Sequence, residues 1–404
     1  MRTKRRVLAL TVLSTVLFCF ALEVAAFAAL HGLYVIRPNL FVHGFVDRHF
    51  DAITDDFRRT FIAEGFHDPV LGWDYEPLTE YQFQNTVGEP YAVSFDADGS
   101  RSDGLPSKQL LINTYGDSFT WCDEVDNDQT WQYFLESSLG YEVKNFGVGA
   151  YGTDQALLKL EGHLARGVSA PITVLGILDE NINRVVTSFR PFYENTSVKL
   201  GFKPSFRFSP NGQVQLTLNP YDSEELSLDE LRGIAHRIAG DDFWVLQSRK
   251  IDIHFPYTFQ LARTASVIAR RRVQDWLNEP GTMNLWETAE GNAVMHYIVD
   301  RFVEVTAKSH SLSVVLFIPT GEALRSTDEP KYTAFAREIR ARHPELHVVD
   351  LMAYEFDRER FNVRPYGGHA SAYGNQVIAR ALEETYRQIQ QRHELAPALS
   401  HAEQ

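Results

Sequence analysis

"LLINTYGDSFTW", residues 110–121, decides the reading of this chain. An apolar run stops at Gly116, and Asp117 and Ser118 follow at once. A serine just after a strand is an ordinary turn or N-cap residue, because its oxygen accepts a backbone N–H that the next helix leaves unpaired. The same place also presents a nucleophile when other reactive groups gather at one edge of a sheet. The surrounding pattern has to separate the two.

Outward from Ser118, that pattern alternates. "KQLLINTY" (108–115) reads as a strand and "DQTWQYFLESSL" (128–139) as a helix starting near Asp128 or Thr130. "YEVKNFGV" (141–148) is a second strand, "TDQALLKLEGHLARG" (153–167) a helix from Thr153 to near Gly167. "APITVLGIL" (170–178) is a third strand, apolar apart from Thr173. Strand and helix at this spacing imply a parallel sheet covered on both faces. Residues 184–285 break the alternation with a hairpin about Asn211-Gly212 and two surface helices in 223–240 and 264–277. It resumes with a helix in 293–310, strands in "LSVVLFIP" (312–319) and "LHVVDLM" (346–352), and a last helix in 371–392. In that helix Ile378, Leu382, Tyr386 and Ile389 keep helical spacing. The expected fold class is α/β, three layers with a doubly wound parallel sheet.

The expected organisation is a cytoplasmic tip and span over 1–31, a strap over 32–107, a catalytic domain over 108–393 with its insertion at 184–285, and a tail over 394–404. The strap lacks periodicity; "DPVLGWDYEP" (68–77) and "SFDADGSRSDGLPS" (94–107) read as loops. At the N-terminus "MRTKRR" precedes 24 residues, 7–30, in which only Glu23 is charged. As a helix they reach about 36 Å, enough to cross a bilayer with some tilt. The basic flank puts the N-terminus on the cytoplasmic side and the body across the membrane. Two readings stand, a retained anchor or a signal cut at "AFA" (26–28). The chain of 404 residues carries a formal charge of −14, and residues 1–31 contribute four basic residues against one acid, so the rest is more acidic still. That disfavours nucleic acid and anionic surfaces as partners of the body. Two cysteines, Cys19 and Cys122, make no disulfide framework.

Several motifs compete for the chemistry. Gly147, Gly149 and Gly152 fit G-x-G-x-x-G after a strand and before a helix, with Asp179 at the next strand end, as a nucleotide site would have it. But this is the second strand–helix unit, and Asp179 is far along for a ribose ligand. No HExxH or cysteine pair indicates metal, and His43, Asp47 and His49 are near one another in a chain with 14 histidines. No cofactor is implied. The G-x-S-x-G elbow is absent. The carboxyl ends of parallel strands share one edge, where ligands bind. At that edge fall Ser118, the turn 145–150, "LDENINR" (178–184), and "GGHASAYGNQVIA" (367–379) before the last helix. Serine acyl transfer needs such a set: a nucleophile, a base and N–H donors for the oxyanion.

Together "GDSFT", "NFGVGAYGT", "DEN" and "GGHASAYGN" resemble the blocks of the SGNH hydrolase superfamily, the GDSL esterases and lipases. More closely, "LGWDYEP", "DADGSRSDG" and "INRVVTSFRPFYENT" are similar to membrane-anchored bacterial members linked to exopolysaccharide modification. The resemblance spans most of residues 70–390. It implies an exported esterase or acyltransferase acting on O-acyl groups, O-acetyl above all, of a carbohydrate or similar ester. It implies Ser118 as nucleophile and His369 as base. The implied oxyanion donors are the Ser118 and Ala150 backbone N–H groups and the Asn181 side chain. The sequence departs from the family at three points. Ala150 replaces a glycine; Gly176 lies early for the third block, where Asn183 competes with Asn181; and Tyr366 stands where an aspartate should orient His369. Asp350 and Asp357 lie upstream as substitutes, or the site runs as a Ser–His dyad. The missing aspartate also leaves open a weakened carbohydrate-binding or assembly protein on the same fold. Phe189, Phe192, Tyr193, Phe202 and Phe206 of the insertion either line an acceptor side or pack as core.

Overall fold

Apolar strands flanked by amphipathic helices leave only one economical solution, burial of the strands between two helical layers. The computed structural model describes residues 2–37, 40–51, 53–63, 66–193, 201–209, 211–247, 253–277, 284–392 and 394–395. In chain order its principal elements are α1 (Arg2–Ile36), β1 (Leu110–Tyr115), α2 (Ser118–Trp121), α3 (Trp131–Leu139), β2 (Glu142–Asn145), α4 (Thr153–Ala165) and β3 (Ile172–Leu178). They continue with α5 (Leu228–Ala239), α6 (Tyr257–Leu277), α7 (Ala289–Lys308), β4 (Leu312–Ile318), α8 (Thr333–Arg342), β5 (His347–Asp350) and α9 (Ala372–Gln391).

The five strands form one sheet in the order β5-β4-β3-β1-β2, every pair parallel. This is the doubly wound order whose switch point lies between β1 and β3. β3 is central and buried along its whole length, which is why it reads as a continuous apolar run rather than an alternating one. On one face Trp131 and Leu135 of α3 pack with Val377, Ile378 and Leu382 of α9 against Leu111, Val174 and Leu316. On the other, buried Leu157 and Leu160 of α4 and Met295, Ile298 and Phe302 of α7 cover the sheet.

The chain's contacts divide it into two units. One holds residues 60–193, 201–224 and 284–404, the sheet with its helices; the other holds 1–59, 194–200 and 225–283. Within the first unit the segment 60–107 wraps the β2–α4 turn. Trp73 Nε1 donates to Gly149 O at 3.0 Å, Tyr151 Oη donates to Trp73 O at 2.6 Å, and Tyr75 stacks on Trp121. Within the second unit α5 starts at Ser227, whose hydroxyl caps Glu230 N in a capping box. Helix α6 begins at Tyr257, seven residues before the position its apolar spacing suggests. The insertion aromatics Phe189, Phe192, Phe202 and Phe206 are all buried and pack as core, so they line no acceptor side.

Candidate active site

The sheet's register sets the site. β1 pairs with β3 through Tyr115 and Leu175, which brings the Gly116–Ser118 turn beside the end of β3. Asp117 is the N-cap of α2, its Oδ1 accepting from Phe119 N at 2.9 Å, and Ser118 is the first residue of that helix. So the cap is Asp117, and Ser118 is left with its hydroxyl free for other work. The turn after β2 passes directly beneath: a Cβ at Gly147 would lie 2.3 Å from Trp121 N, so only glycine lets the two segments approach.

His369 sits on a short hairpin, Asn362–Arg364 with Gly367–Ala370, that leads into α9. Its Nε2 lies 2.9 Å from Ser118 Oγ, across 251 residues of chain. Its Nδ1 lies 2.8 Å from Glu124 Oε1. The sequence reasoning missed Glu124. Its Oε1 also accepts from His369 N at 3.1 Å, and its Oε2 accepts from Thr86 N at 2.8 Å and Thr86 Oγ1 at 2.6 Å. Gly368 takes φ +73°, and a Cβ there would press on Thr86 Oγ1 and Glu124 Oε1. The Asp123 carboxylate is 3.8 Å from the same His369 nitrogen and accepts a hydrogen bond from Tyr91 Oη.

The other proposed orienting acids are elsewhere. Asp350 accepts from Tyr332 Oη and Met352 N, and Asp357 from Glu359 N. Tyr366, where the resemblance leads one to expect an aspartate, takes φ +56° and its Oη donates to Glu359. Of the alternatives left open, neither Asp350 nor Asp357 nor a bare Ser–His pair is what the structure has: Glu124 faces His369 Nδ1.

Electrostatics follow from these bonds. Burial raises the Glu124 carboxyl, but the hydrogen bonds from His369 and Thr86 outweigh it and hold the group at about 2. Burial lowers the His369 imidazole, yet the Glu124 hydrogen bond and the charges of Asp123, Glu124 and Asp117 raise it above the usual histidine value. Glu124 is thus ionised throughout the working range, and Nδ1 carries the proton that faces it. That tautomer leaves Nε2 as an acceptor toward Ser118 Oγ.

Glu124 itself takes φ +70°, a costly conformation for a side chain, and Arg101 holds its loop in place. The buried guanidinium donates to the Trp121, Cys122 and Val125 carbonyls and to Asn127 Oδ1, and lies over the Trp121 ring.

Of the expected oxyanion donors, the Ser118 and Ala150 backbone N–H groups make no hydrogen bond among the described residues. Ala150 keeps φ +73°, the left-handed geometry of the glycine it replaces, so the turn survives the change. Asn181 is brought to the site but has other partners. Its Nδ2 donates to Asp117 Oδ2 at 2.9 Å and faces Tyr151 O at 3.5 Å, while its Oδ1 accepts from Leu178 N. Arg184 Nη1 joins it on Asp117 Oδ2 at 3.2 Å, and Asn183 Nδ2 donates to Tyr193 Oη. As placed, Asn181 and Arg184 fix Asp117, and through it the turn bearing Ser118.

The glycine triplet does not make a nucleotide site. Gly147 is packed on α2, and at the start of α4 Gly152 N donates to Gln155 Oε1 while Asp154 pairs with buried Lys203. Among the described residues, no three His, Cys, Asp or Glu side chains gather as metal ligands. No protein-family model and no curated protein matches the chain. Among solved structures, a member of the lipolytic protein G-D-S-L family from Veillonella parvula is 10% identical, covering 69% of this chain and 98% of that one, with TM-score 0.33. A carbohydrate esterase family 2 enzyme with a carbohydrate-binding domain from Corynascus thermopiles is 12% identical, covering 78% and 72%, with TM-score 0.31. A salicylyl-acyltransferase of a tetracycline biosynthetic pathway is 12% identical, covering 75% and 60%, with TM-score 0.29. Likenesses this loose carry no argument about the chemistry, which rests on the atoms above.

Proposed function

We propose that this chain is an SGNH-type serine esterase or acyltransferase, held at a bacterial inner membrane by α1 with its catalytic unit in the periplasm. The observation that carries the chemistry is the hydrogen-bonded series from Ser118 Oγ to His369 Nε2 and from His369 Nδ1 to Glu124 Oε1. In this account Ser118 Oγ attacks the ester carbonyl carbon as His369 Nε2 takes its proton. The carbonyl oxygen becomes an oxyanion facing the Ser118 and Ala150 N–H groups. The bond to the leaving alcohol breaks, and His369 returns the proton to that alcohol. Water or a sugar hydroxyl then gives its proton to His369 and attacks the acyl-serine carbonyl carbon; the bond to Ser118 Oγ breaks, and His369 returns the proton to that oxygen. Glu124 stays ionised and stabilises the imidazolium formed in each half.

The substrate we propose is an O-acetylated carbohydrate. Its support is the family resemblance of the segments flanking Ser118, and the acidic body fits a neutral polymer better than an anionic one. Support for the tether is one helix among the described residues, Arg6–Ile36, with an 18-residue stretch of mean hydropathy 2.3 after a basic flank. Its exposed apolar side chains run from Val7 to Phe27, and Val35 and Ile36 are exposed at its end. Glu124 removes the main reason for the weakened-binder alternative, which was the lack of an acid. Hydrolysis of 4-nitrophenyl acetate by wild type and by Ser118→Ala tests the activity. The expected result is turnover by wild type only. Turnover unchanged in the variant rejects the serine mechanism, and no turnover by either protein on acetylated sugars favours the binder.

A further inference from the structure

Glu23 is the one charged residue in the apolar stretch of α1. From Val7 it lies about 24 Å along the helix, inside a hydrocarbon layer of about 30 Å. A carboxylate at that depth is costly and asks for partners. It has them. Glu23 Oε2 accepts from Tyr257 N at 2.6 Å and Thr258 N at 3.4 Å, and Oε1 accepts from Thr258 Oγ1. Those are the first N–H groups of α6, the ones a helix leaves unpaired, and they sit at the positive end of its dipole.

The bonds fix where α6 starts relative to the span. The Tyr257 ring meets Phe27 edge-on at 5.0 Å. One turn further, Leu261 packs in the cluster of Leu30, Leu33 and Tyr34. Helix α6 therefore climbs beside α1 away from the span, and the turn before it is its lowest point. That turn and the first turn of α6 each carry a large apolar side chain in the open: Phe255 is 68% exposed and Phe259 is 64% exposed, four residues apart. Beyond Val24 the cover on α1 is mixed: Ala26 and Leu30 are buried, while Phe27, and Val35 and Ile36 at the helix end, are exposed. Through the Glu23 and Phe27 contacts of Tyr257, the two phenylalanines lie beside the stretch where that cover begins. Aromatic rings at the membrane–water boundary gain from burying their apolar faces there.

We propose that Phe255 and Phe259 form a second membrane contact, a wedge set into the outer leaflet of the phospholipid bilayer that α1 crosses, with Glu23 as the latch that holds it there. This rests on the reading of α1 as a span. The wedge limits the tilt of its unit against the bilayer, which a single spanning helix leaves free.

The test uses the full chain in vesicles of phosphatidylethanolamine and phosphatidylglycerol. Cys19→Ala removes the exposed thiol, while Cys122 is buried and its thiol is pushed up to about 12, so it does not label. Spin labels at Leu13→Cys, Phe259→Cys and Lys331→Cys are then compared for collision with oxygen, which partitions into lipid, and with a nickel chelate, which stays in water. The expected result is a deep label at 13, a shallow but lipid-shielded label at 259 and an aqueous label at 331. Glu23→Leu, which lengthens the apolar run but removes the latch, is expected to move 259 to the aqueous pattern and leave 13 deep. A label at 259 as exposed to nickel as that at 331, with 13 still deep, overturns the wedge and leaves the span standing. Labels at 13 and 259 both in water overturn the span and the wedge with it. A 259 label unmoved by Glu23→Leu overturns the latch.

Discussion

Ser118 and Glu124 lie six residues apart and bracket one histidine, yet they are held by opposite means. Ser118 sits at a strand end, capped by its neighbour Asp117 and aligned by the β1–β3 register. Glu124 sits in a left-handed loop that no local rule favours, held by Arg101 behind it and Thr86 in front. The proposed nucleophile is placed by secondary structure and its proposed acid by tertiary contact. In the proposed mechanism sheet-end geometry sets where reaction occurs, whereas loop contacts set the acid beside the base.

Ser118→Ala attacks the locally placed side and should have the largest effect, a loss of turnover on the order of 10⁴-fold or more with binding retained. His369→Ala should match it, and the double variant should lose no more, since the two act as one unit. Glu124→Gln attacks the tertiary side. It keeps the shape but not the charge, and turnover should fall by roughly 10²- to 10⁴-fold. Thr86→Ala removes one of two donors to Glu124 Oε2. A hydrogen bond to a charged group contributes ~1.5–3 kcal/mol, and since the second donor from Thr86 N remains, a loss at the low end of that range, roughly tenfold in kcat with KM little changed, is expected. An unchanged kcat would show that the strap does not tune the acid. The smallest effect belongs to Ala150→Gly. It relieves a side chain at φ +73° and should stabilise the fold by roughly 1 kcal/mol in denaturant midpoint, with turnover unchanged. A loss of activity there would mean that the Ala150 methyl shapes the oxyanion turn.

The same contrast explains what could be read from the chain. The five strands, their order of use and the edge bearing Ser118 follow from apolar runs and turn residues, which are local signals. Ala150 was legible as a tolerated departure because a backbone N–H survives a change of side chain. Glu124 was not legible. An acid six residues past a nucleophile looks no different from Asp350 or Asp357, and its selection depends on a positive φ and on Thr86 from 38 residues upstream. The Asn181 side chain shows the limit from the other side. Its place at the site was readable, but its use depends on Asp117 Oδ2, 64 residues away. The role of Glu23 was not legible in the span because its partners lie 234 and 235 residues on.

The central claim is that Glu124 takes the place of the family's aspartate in setting His369. The pH profile of kcat/KM on a neutral acetyl ester reports the free enzyme's base. With His369 raised, wild-type activity should fall as pH drops through a midpoint above the ordinary histidine value of about 6.5. Removing the carboxylate disfavours the imidazolium, so in Glu124→Gln the midpoint should shift to lower pH while the plateau drops. An unshifted midpoint with an undiminished plateau in Glu124→Gln would contradict the account.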